Sequence, residues 1–216
     1  MTHSPPIALE DRHDDGGRLS SPSAGRNREV IAQTLAGLLP QGARVLEIAS
    51  GTGEHALACV TARPDLRWQP SEPDARSRVS IDDWARDADG RIAPALELDV
   101  LATGWWQSVT EPVEAIFCAN MIHIAPWAAS EGLVEGAGAL LSQGGLLVLY
   151  GPFLEGDATA PSNLAFDESL KARNPGWGVR ALDTVTALAE AHGFTADQRI
   201  AMPANNLVVV FRRRRP

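Results

Sequence analysis

The chain has 216 residues, of which 44% are hydrophobic and 21% charged, an ordinary composition for one globular domain with an extensive core. A formal net charge of −8 argues against nucleic acid as the main partner, because nucleic-acid-binding domains normally carry a basic face. No apolar run is long enough to span a bilayer and no secretory leader is visible, so we expect a cytoplasmic protein without membrane insertion.

The first 24 residues are rich in Ser, Pro, Gly, Asp and Arg, and they predict a flexible tail (1–24) ahead of a domain over 25–216. From Arg26 an apolar helical face runs to Leu39. Strand-like and helical patterns then alternate, which predicts an α/β fold with a mostly parallel, doubly wound sheet. The predicted elements are strand 44–49, helix 54–62, strand 67–71, helix 74–87, strand 95–99, strand 113–119, helix 127–141 and strand 145–150.

Residues 151–180 break this alternation and predict a loop insertion that serves as a lid or binding loop. A last helix ends at Gly193, and two apolar runs, 194–200 and 207–211, predict an antiparallel C-terminal pair. Five aromatic residues that cluster after the fourth and fifth strands are candidates for an apolar substrate pocket, although simple packing is their commoner role: Trp127, Tyr150, Phe153, Phe166 and Trp177.

The segment Val45–His55 predicts a buried strand, followed by a glycine-rich turn and the start of a helix. Gly51 and Gly53 allow a sharp turn and close approach of a ligand to the backbone. Together with Glu47 and Ala49 they form the sequence pattern Glu-x-Ala-x-Gly-x-Gly, which resembles motif I of the S-adenosyl-L-methionine (SAM) methyltransferases.

Three acidic residues at predicted strand ends suit the other parts of SAM. Glu72 is placed to bind the two ribose hydroxyls, and Asp99 is placed to contact the adenine amino group. Glu47 ends the first strand beside the methionine portion. The order and spacing of these residues predict a SAM-type pocket.

A dinucleotide site is the main alternative, because Gly51–Ala56 also fits the pattern G-x-G-x-x-A with an acid about 20 residues onward. Such a site would make the protein an NAD(P)-dependent oxidoreductase. Glu47 on the first strand and the antiparallel terminal pair favour SAM, and Tyr150 has no lysine nearby for a hydride-transfer site. No Cys or His spacing indicates a metal site.

Asn120-Met121-Ile122-His123 follows the fourth strand, where a methyltransferase brings its substrate to the reactive methyl. His123 is the candidate general base, since a neutral imidazole is available at cellular pH. The alternative is that His123 has a purely structural role. A structural role is also the interpretation that we favour for His55, in the first turn of its helix.

Nine sequence blocks in order resemble the family catalogued as domain of unknown function 938, whose animal members are called methyltransferase-like protein 26. The match extends over about 21–211, and Met-Pro-Ala-Asn-Asn is its most unusual block. The blocks begin at Ser23 (SAGRN), Leu46 (LEIASGTGEH), Trp68 (WQPS), Asn120 (NMIHI), Tyr150 (YGPF), Ser162 (SN), Phe166 (FD), Trp177 (WG) and Met202 (MPANN).

The resemblance implies a Rossmann-like class I methyltransferase fold, a seven-stranded sheet with an antiparallel C-terminal strand, and Arg26 and Asn27 folding over the cofactor. It also implies an aspartate after Arg180, where this chain has Ala181; either activity is altered or Asp183 replaces it. The predicted catalytic residues are Asn120 and His123, and the predicted SAM-binding residues are Arg26, Asn27, Glu47, Ala49, Gly51, Gly53, Glu72, Asp99, Asn120 and Met121.

The leading hypothesis is a SAM-dependent methyltransferase acting on a small-molecule acceptor, with no nucleic-acid or membrane partner. A SAM-binding module without catalysis, such as a partner subunit, is the alternative favoured by Ala181. The sequence does not indicate the acceptor or the oligomeric state.

Overall fold

The computed structural model describes residues 12–214, which form two compact units, an N-terminal unit that ends at Leu98 and a C-terminal unit that begins at Asp99. Each unit has its own arrangement of helices and strands. Among the described residues, no helix combines the length and apolar character needed to cross a membrane.

The N-terminal unit begins with a small antiparallel ribbon that the composition did not predict. The ribbon is followed by alternating helices and strands, and α1 starts earlier than the helical periodicity indicated because Pro22 suits a first helical turn. The elements of this unit are β1 His13–Asp15, β2 Arg18–Ser20, α1 Pro22–Leu38, β3 Arg44–Ile48, α2 Glu54–Ala62, β4 Arg67–Pro70 and α3 Ala75–Ala85.

β3 and β4 pair in parallel, as predicted, but the strand expected over 95–99 does not form. That part of the chain makes only isolated parallel bridges, Trp68 to Ile92 and Ser71 to Leu96. Pro70 of β4 lies between the amides of Trp68 and Glu72, which donate to this segment, and has no N–H of its own. The Ala95 amide donates to Asp82 instead of to β4, so the ladder is not continuous. The prediction of a regular strand was therefore wrong, although the segment still runs beside β4.

The C-terminal unit is built around one long, almost fully buried strand, β6, as its continuous apolar sequence requires. β6 pairs in parallel with β5 on one side and antiparallel with β9 on the other, and β9 pairs antiparallel with β8. The elements are β5 Ala115–Ala119, α4 Trp127–Leu140, β6 Leu146–Leu154, α5 Pro161–Arg173, β7 Arg180–Ala181, α6 Leu182–Ala191, β8 Phe194–Met202 and β9 Asn206–Arg213.

The segment 151–180 is less irregular than its composition suggests. It contains the 13-residue helix α5, which has Pro at its start and Lys171 and Arg173 in its last turn. The short strand β7 then pairs in parallel with the end of β6. The boundaries of the tail and of the insertion remain predictions. Residues 1–11 of the predicted tail lie outside the described residues, and the part of the tail that the structure describes contains β1, β2 and the start of α1.

Candidate functional site

The glycine-rich turn between β3 and α2 has the backbone that a close-approaching ligand requires. Ala49, Gly51 and Gly53 all have positive φ, of 56°, 61° and 99°. The amide of Ser50 donates to the carbonyl of Ser71 at 2.9 Å, which fixes the turn against the end of β4. The turn therefore presents backbone rather than side chains at Gly51.

Glu72 lies against this turn, as expected for the residue that follows β4. One of its carboxylate oxygens, Oε2, accepts from the Gly51 amide at 3.0 Å. Burial raises the pKa of Glu72, and the Gly51 amide and the nearby charge of Arg12 oppose that rise. The predicted ribose ligand is thus already oriented by the turn that is predicted to hold the rest of the cofactor.

Glu47 is more deeply buried than a simple surface ligand, with 1% of its surface exposed. Its Oε2 accepts from the Trp68 indole N–H at 2.9 Å, and burial raises the pKa of this carboxyl to about 7. Glu47 is thus held below the turn by Trp68. Direct contact between Glu47 and a cofactor stays a prediction.

Glu54, a residue that the sequence reasoning did not select, joins three parts of the N-terminal unit. Its carboxylate accepts from the Ser21 amide at 2.7 Å, from Arg28 at 3.0 Å and from the Thr52 hydroxyl at 2.9 Å. It is 3% exposed. Its position directly after the N-cap glycine of α2 was the available signal, since acids are favoured in a first helical turn.

α1 brings one of its two predicted cofactor residues onto α2. Asn27 Oδ1 lies 2.9 Å from His55 Nε2, whereas Arg26 is exposed on the helix. Burial, with a smaller effect of the Arg28 charge, lowers the pKa of His55 to about 4. His55 is therefore a neutral residue that connects two helices, in agreement with its structural interpretation.

In the C-terminal unit, His123 combines burial with an unused polar atom. It is 2% exposed, and its Nδ1 has no hydrogen-bond partner within residues 12–214. The ring packs edge-on against Phe166, with centroids 5.6 Å apart. A Cβ added at Gly151 would lie 3.4 Å from His123 Nδ1 and 3.5 Å from Asn120 Oδ1, so both polar atoms border the backbone at Gly151.

The electrostatics around His123 keep its ring neutral. Burial lowers its pKa to about 4, and the positive charge of Arg180 contributes in the same direction. A neutral imidazole with an unpartnered buried nitrogen can exchange a hydrogen bond, and then a proton, with a bound molecule.

Residues of separate sequence blocks support the loop that carries His123. Arg180 donates to the carbonyls of Ile122 at 2.9 Å and Ala125 at 2.6 Å, and the Gly178 amide donates to the His123 carbonyl at 3.0 Å. Arg180 also lies over the Trp127 ring, 5.8 Å from its centroid. The sequence reasoning missed Arg180 as a support for this loop.

Residues of three further blocks of the resemblance meet along β6. Asn163 donates to the carbonyls of Phe153 at 3.2 Å and Asn205 at 3.0 Å, and Asn206 donates to the Tyr150 hydroxyl at 3.2 Å. Tyr150 and Phe153 are buried, which agrees with packing as the role of these two aromatic residues.

Three other predicted positions, Asp99, Asn120 and Met121, lie in the C-terminal unit. Asp99 is exposed, and its Oδ1 accepts from the Leu101 amide at 2.9 Å. Asn120 has a positive φ of 58° and donates its amide to the Tyr150 carbonyl, while Met121 is half-buried. No cluster of potential metal ligands occurs in the described part of the chain.

A family model described as protein of unknown function (DUF938) matches residues 18–213. The chain belongs to the DUF938 family. The match covers both units described above and shows the family that the sequence blocks resemble.

The fold of this DUF938 protein is that of solved methyltransferases. An O-methyltransferase family protein from Burkholderia thailandensis matches with a TM-score of 0.75 at 13% identity, over 89% of this chain and 56% of that one. The pyocyanin biosynthetic protein PhzM matches at 0.72 and 20% identity, over 89% and 59%. CalO1, a methyltransferase in calicheamicin biosynthesis solved in its SAH-bound form, matches at 0.74 and 16% identity, over 88% and 54%.

These matches confirm the predicted fold class, a Rossmann-like α/β methyltransferase fold with seven mostly parallel strands and an antiparallel C-terminal strand. The DUF938 chain spans less than two thirds of the length of each of these three proteins.

The position at which the resemblance implies an aspartate, Ala181, is the N-cap of α6. Ala181 has extended backbone (φ −68°, ψ 130°) and makes no side-chain cap, and Asp183 lies exposed in the first turn. An aspartate there would accept a hydrogen bond from a first-turn amide of α6. The geometry therefore accounts for such an aspartate as a helix cap in this DUF938 protein.

Ala181→Asp is expected to stabilise the protein by about 1 kcal/mol, because a cap replaces an unsatisfied helix end. Thermal melting should show a rise of roughly 2–4 °C, the usual response of a chain of this size. Ala181→Asn provides the matched variant, since it caps α6 without adding charge beside Asp183. Unchanged melting for both variants would contradict the capping role.

Proposed function

We propose that this protein is a SAM-dependent methyltransferase that acts on a small molecule. The observation that carries the proposal is the hydrogen bond from the Gly51 amide to Glu72 at 3.0 Å, within a turn in which Ala49, Gly51 and Gly53 have positive φ. This arrangement places a carboxylate and an open stretch of backbone side by side, as an adenosine-containing cofactor with an aminoacyl tail requires.

The cofactor-binding residues proposed for the N-terminal unit have distinct roles. Gly51 and Gly53 provide the backbone of the turn, Glu72 accepts hydrogen bonds from ribose hydroxyls, and Ala49 continues the positive-φ turn. Arg26, Asn27 and Glu47 complete this set as sequence-based assignments. Bound SAM would supply an electrophilic methyl group on a sulfonium centre.

In the C-terminal unit we assign acceptor binding and proton removal to His123. Its buried, unpartnered Nδ1, which borders Gly151 as Asn120 Oδ1 does, is the feature of this unit that fits an acceptor carrying an N–H or O–H group. Asp99, Asn120 and Met121 remain proposed cofactor contacts. Most of the rate would come from positioning and from exclusion of water, with proton removal as a smaller contribution.

A small-molecule acceptor is supported by the acidic charge of the chain and by the kind of protein that shares its fold. One such protein is named as mitomycin 7-O-methyltransferase MmcR, with 19% identity and a TM-score of 0.73. Kinship with methyltransferase-like protein 26 and a cytoplasmic location belong to the same proposal.

Titration calorimetry with S-adenosylhomocysteine (SAH), and separately with NADH, is the first test. We expect binding of SAH and none of NADH. Binding of NADH without binding of SAH would contradict the proposal and favour the NAD(P)-dependent oxidoreductase alternative.

Incubation of the protein with methyl-labelled SAM and fractionated cell metabolites is the second test. Label in a small-molecule fraction is the expected result. SAH binding without transfer to any fraction would instead identify a SAM-binding module without catalysis.

A further inference from the structure

Residues 12–21 form a strap, made of Arg12, the β1–β2 ribbon and Ser21, that is fixed to the rest of the N-terminal unit. Arg18 donates to Asp83 at 2.6 Å and to Asp87 at 2.8 Å, and its guanidinium lies 4.4 Å from the centroid of Trp84. These contacts hold the ribbon on α3 and the turn that follows it.

Backbone hydrogen bonds fix the strap further. The Leu19 amide donates to the Ser80 hydroxyl at 2.8 Å, and the Leu19 carbonyl accepts from the Trp84 indole at 2.9 Å. Leu19 is 3% exposed, so its side chain is part of the core. The strap therefore has a defined position in the fold, and Arg12 is carried at its N-terminal end.

Arg12 lies across the glycine-rich turn. One terminal nitrogen donates to the Ser77 hydroxyl at 2.7 Å, and the other lies 3.9 Å from the position that a Cβ on Gly51 would occupy. Gly51 carries no side chain to fill the space on that side. The Arg12 guanidinium thus lies near the backbone at the position where the proposed cofactor would bind.

Arg12 forms no ion pair within residues 12–214, and its hydrogen-bond partner there is the neutral hydroxyl of Ser77. Glu72 and Asp74 are the nearby acidic residues whose pKa values its charge lowers, but neither carboxylate is bonded to the guanidinium. Arg18, in the same strap, has two carboxylate partners. A half-buried guanidinium that uses one of its five donors is suited to bind an anionic group supplied by a ligand.

We propose that Arg12 binds the carboxylate of the aminoacyl portion of the cofactor, so that the strap selects a nucleoside that carries an amino acid. The planar guanidinium matches a carboxylate with two parallel hydrogen bonds, which neutral backbone amides cannot reproduce. The inference rests on the proposed function, since it names a further residue of the same cofactor site.

The test compares two ligands that differ only in the portion that Arg12 is proposed to bind. SAH contains the aminoacyl group, whereas 5′-methylthioadenosine keeps the adenosine and the thioether without it. We expect Arg12→Gln to weaken SAH binding about tenfold or more and to leave 5′-methylthioadenosine binding unchanged. Glu72→Gln, the matched control, should weaken both ligands because both contain the ribose.

The possible outcomes are distinguishable by calorimetry. Wild-type protein that binds neither ligand would remove the proposed function and this inference together. If wild-type protein binds SAH and the Arg12→Gln variant binds SAH with the same affinity, the inference alone is overturned. The same holds if Arg12→Gln loses affinity equally for SAH and for 5′-methylthioadenosine. Arg12→Lys, which keeps the charge but not the fork, should give an intermediate loss for SAH only.

Discussion

Replacement of His123 by glutamine is expected to lower methyl transfer about a hundredfold or more without changing the affinity for SAH. The reason is that His123 Nδ1 is the buried polar atom without a partner at the proposed acceptor position, and glutamine cannot accept a proton there at neutral pH. Label transfer from SAM to the acceptor found in the metabolite screen measures the loss.

The pH dependence of the wild-type rate gives a second readout of the same prediction. Since the pKa of His123 is lowered to about 4, its ring stays neutral well below pH 7. The rate should therefore hold from pH 7 to about pH 5.5, where a histidine of ordinary pKa would already be mostly protonated.

His192→Gln is the control for His123, because His192 directly follows α6 and its ring nitrogen Nδ1 lies 2.9 Å from the Leu188 carbonyl of its own helix, away from the proposed acceptor position. It should transfer methyl groups at the wild-type rate. If His123→Gln also kept the wild-type rate, His123 would have no role as a base.

Gly53→Ala is expected to destabilise the protein by about 4 kcal/mol, the largest effect among the glycines of the turn. A Cβ at Gly53 would lie 2.8 Å from Ile81 Cα and 3.3 Å from Trp84 Cδ1. The backbone of α3 would have to move, and the φ of 99° is itself unfavourable for alanine. Urea unfolding measures the loss of unfolding free energy.

Gly51→Ala is the matched comparison, since its added methyl group would have no neighbour closer than Arg12 at 3.9 Å. We expect a cost of only about 1 kcal/mol from its positive φ, together with a marked loss of SAH affinity. If the two substitutions lower the free energy of unfolding equally, the close contact with α3 does not make Gly53 more sensitive to substitution than Gly51. Full SAH binding by Gly51→Ala would contradict the proposed cofactor position.

The strand, turn and helix around Gly51 could be predicted because all of the signals lie within one short, strongly patterned segment. The same holds for Glu72, whose position follows from the end of β4. The expected strand over 95–99 did not form, because the apolar spacing was considered without the missing donor of Pro70 in β4 and without the bond from the Ala95 amide to Asp82.

Contacts between distant parts of the chain could not be predicted. The Gly178 amide meets the His123 carbonyl, and Arg180 meets Ile122, only because α5 and β7 return the chain to the end of β6. No local pattern encodes such a return.

The sequence of the strap contains a signal for a β-hairpin, although its polar composition is typical of a flexible tail. Asp15-Gly16-Gly17 is a typical hairpin turn, and both glycines have positive φ. Polar, glycine-rich composition led instead to the prediction of a tail, so Arg12 and Arg18 were not selected.

The carboxylate of Glu54 links the origin of α1, the side chain of Arg28 and the hydroxyl of Thr52 in one buried network. Loss of Arg28 alone would leave the buried Glu54 carboxylate without its cation, whereas Arg28 without Glu54 would still reach solvent and Glu29. Homologous chains that retain Glu54 should consequently retain a cation at position 28.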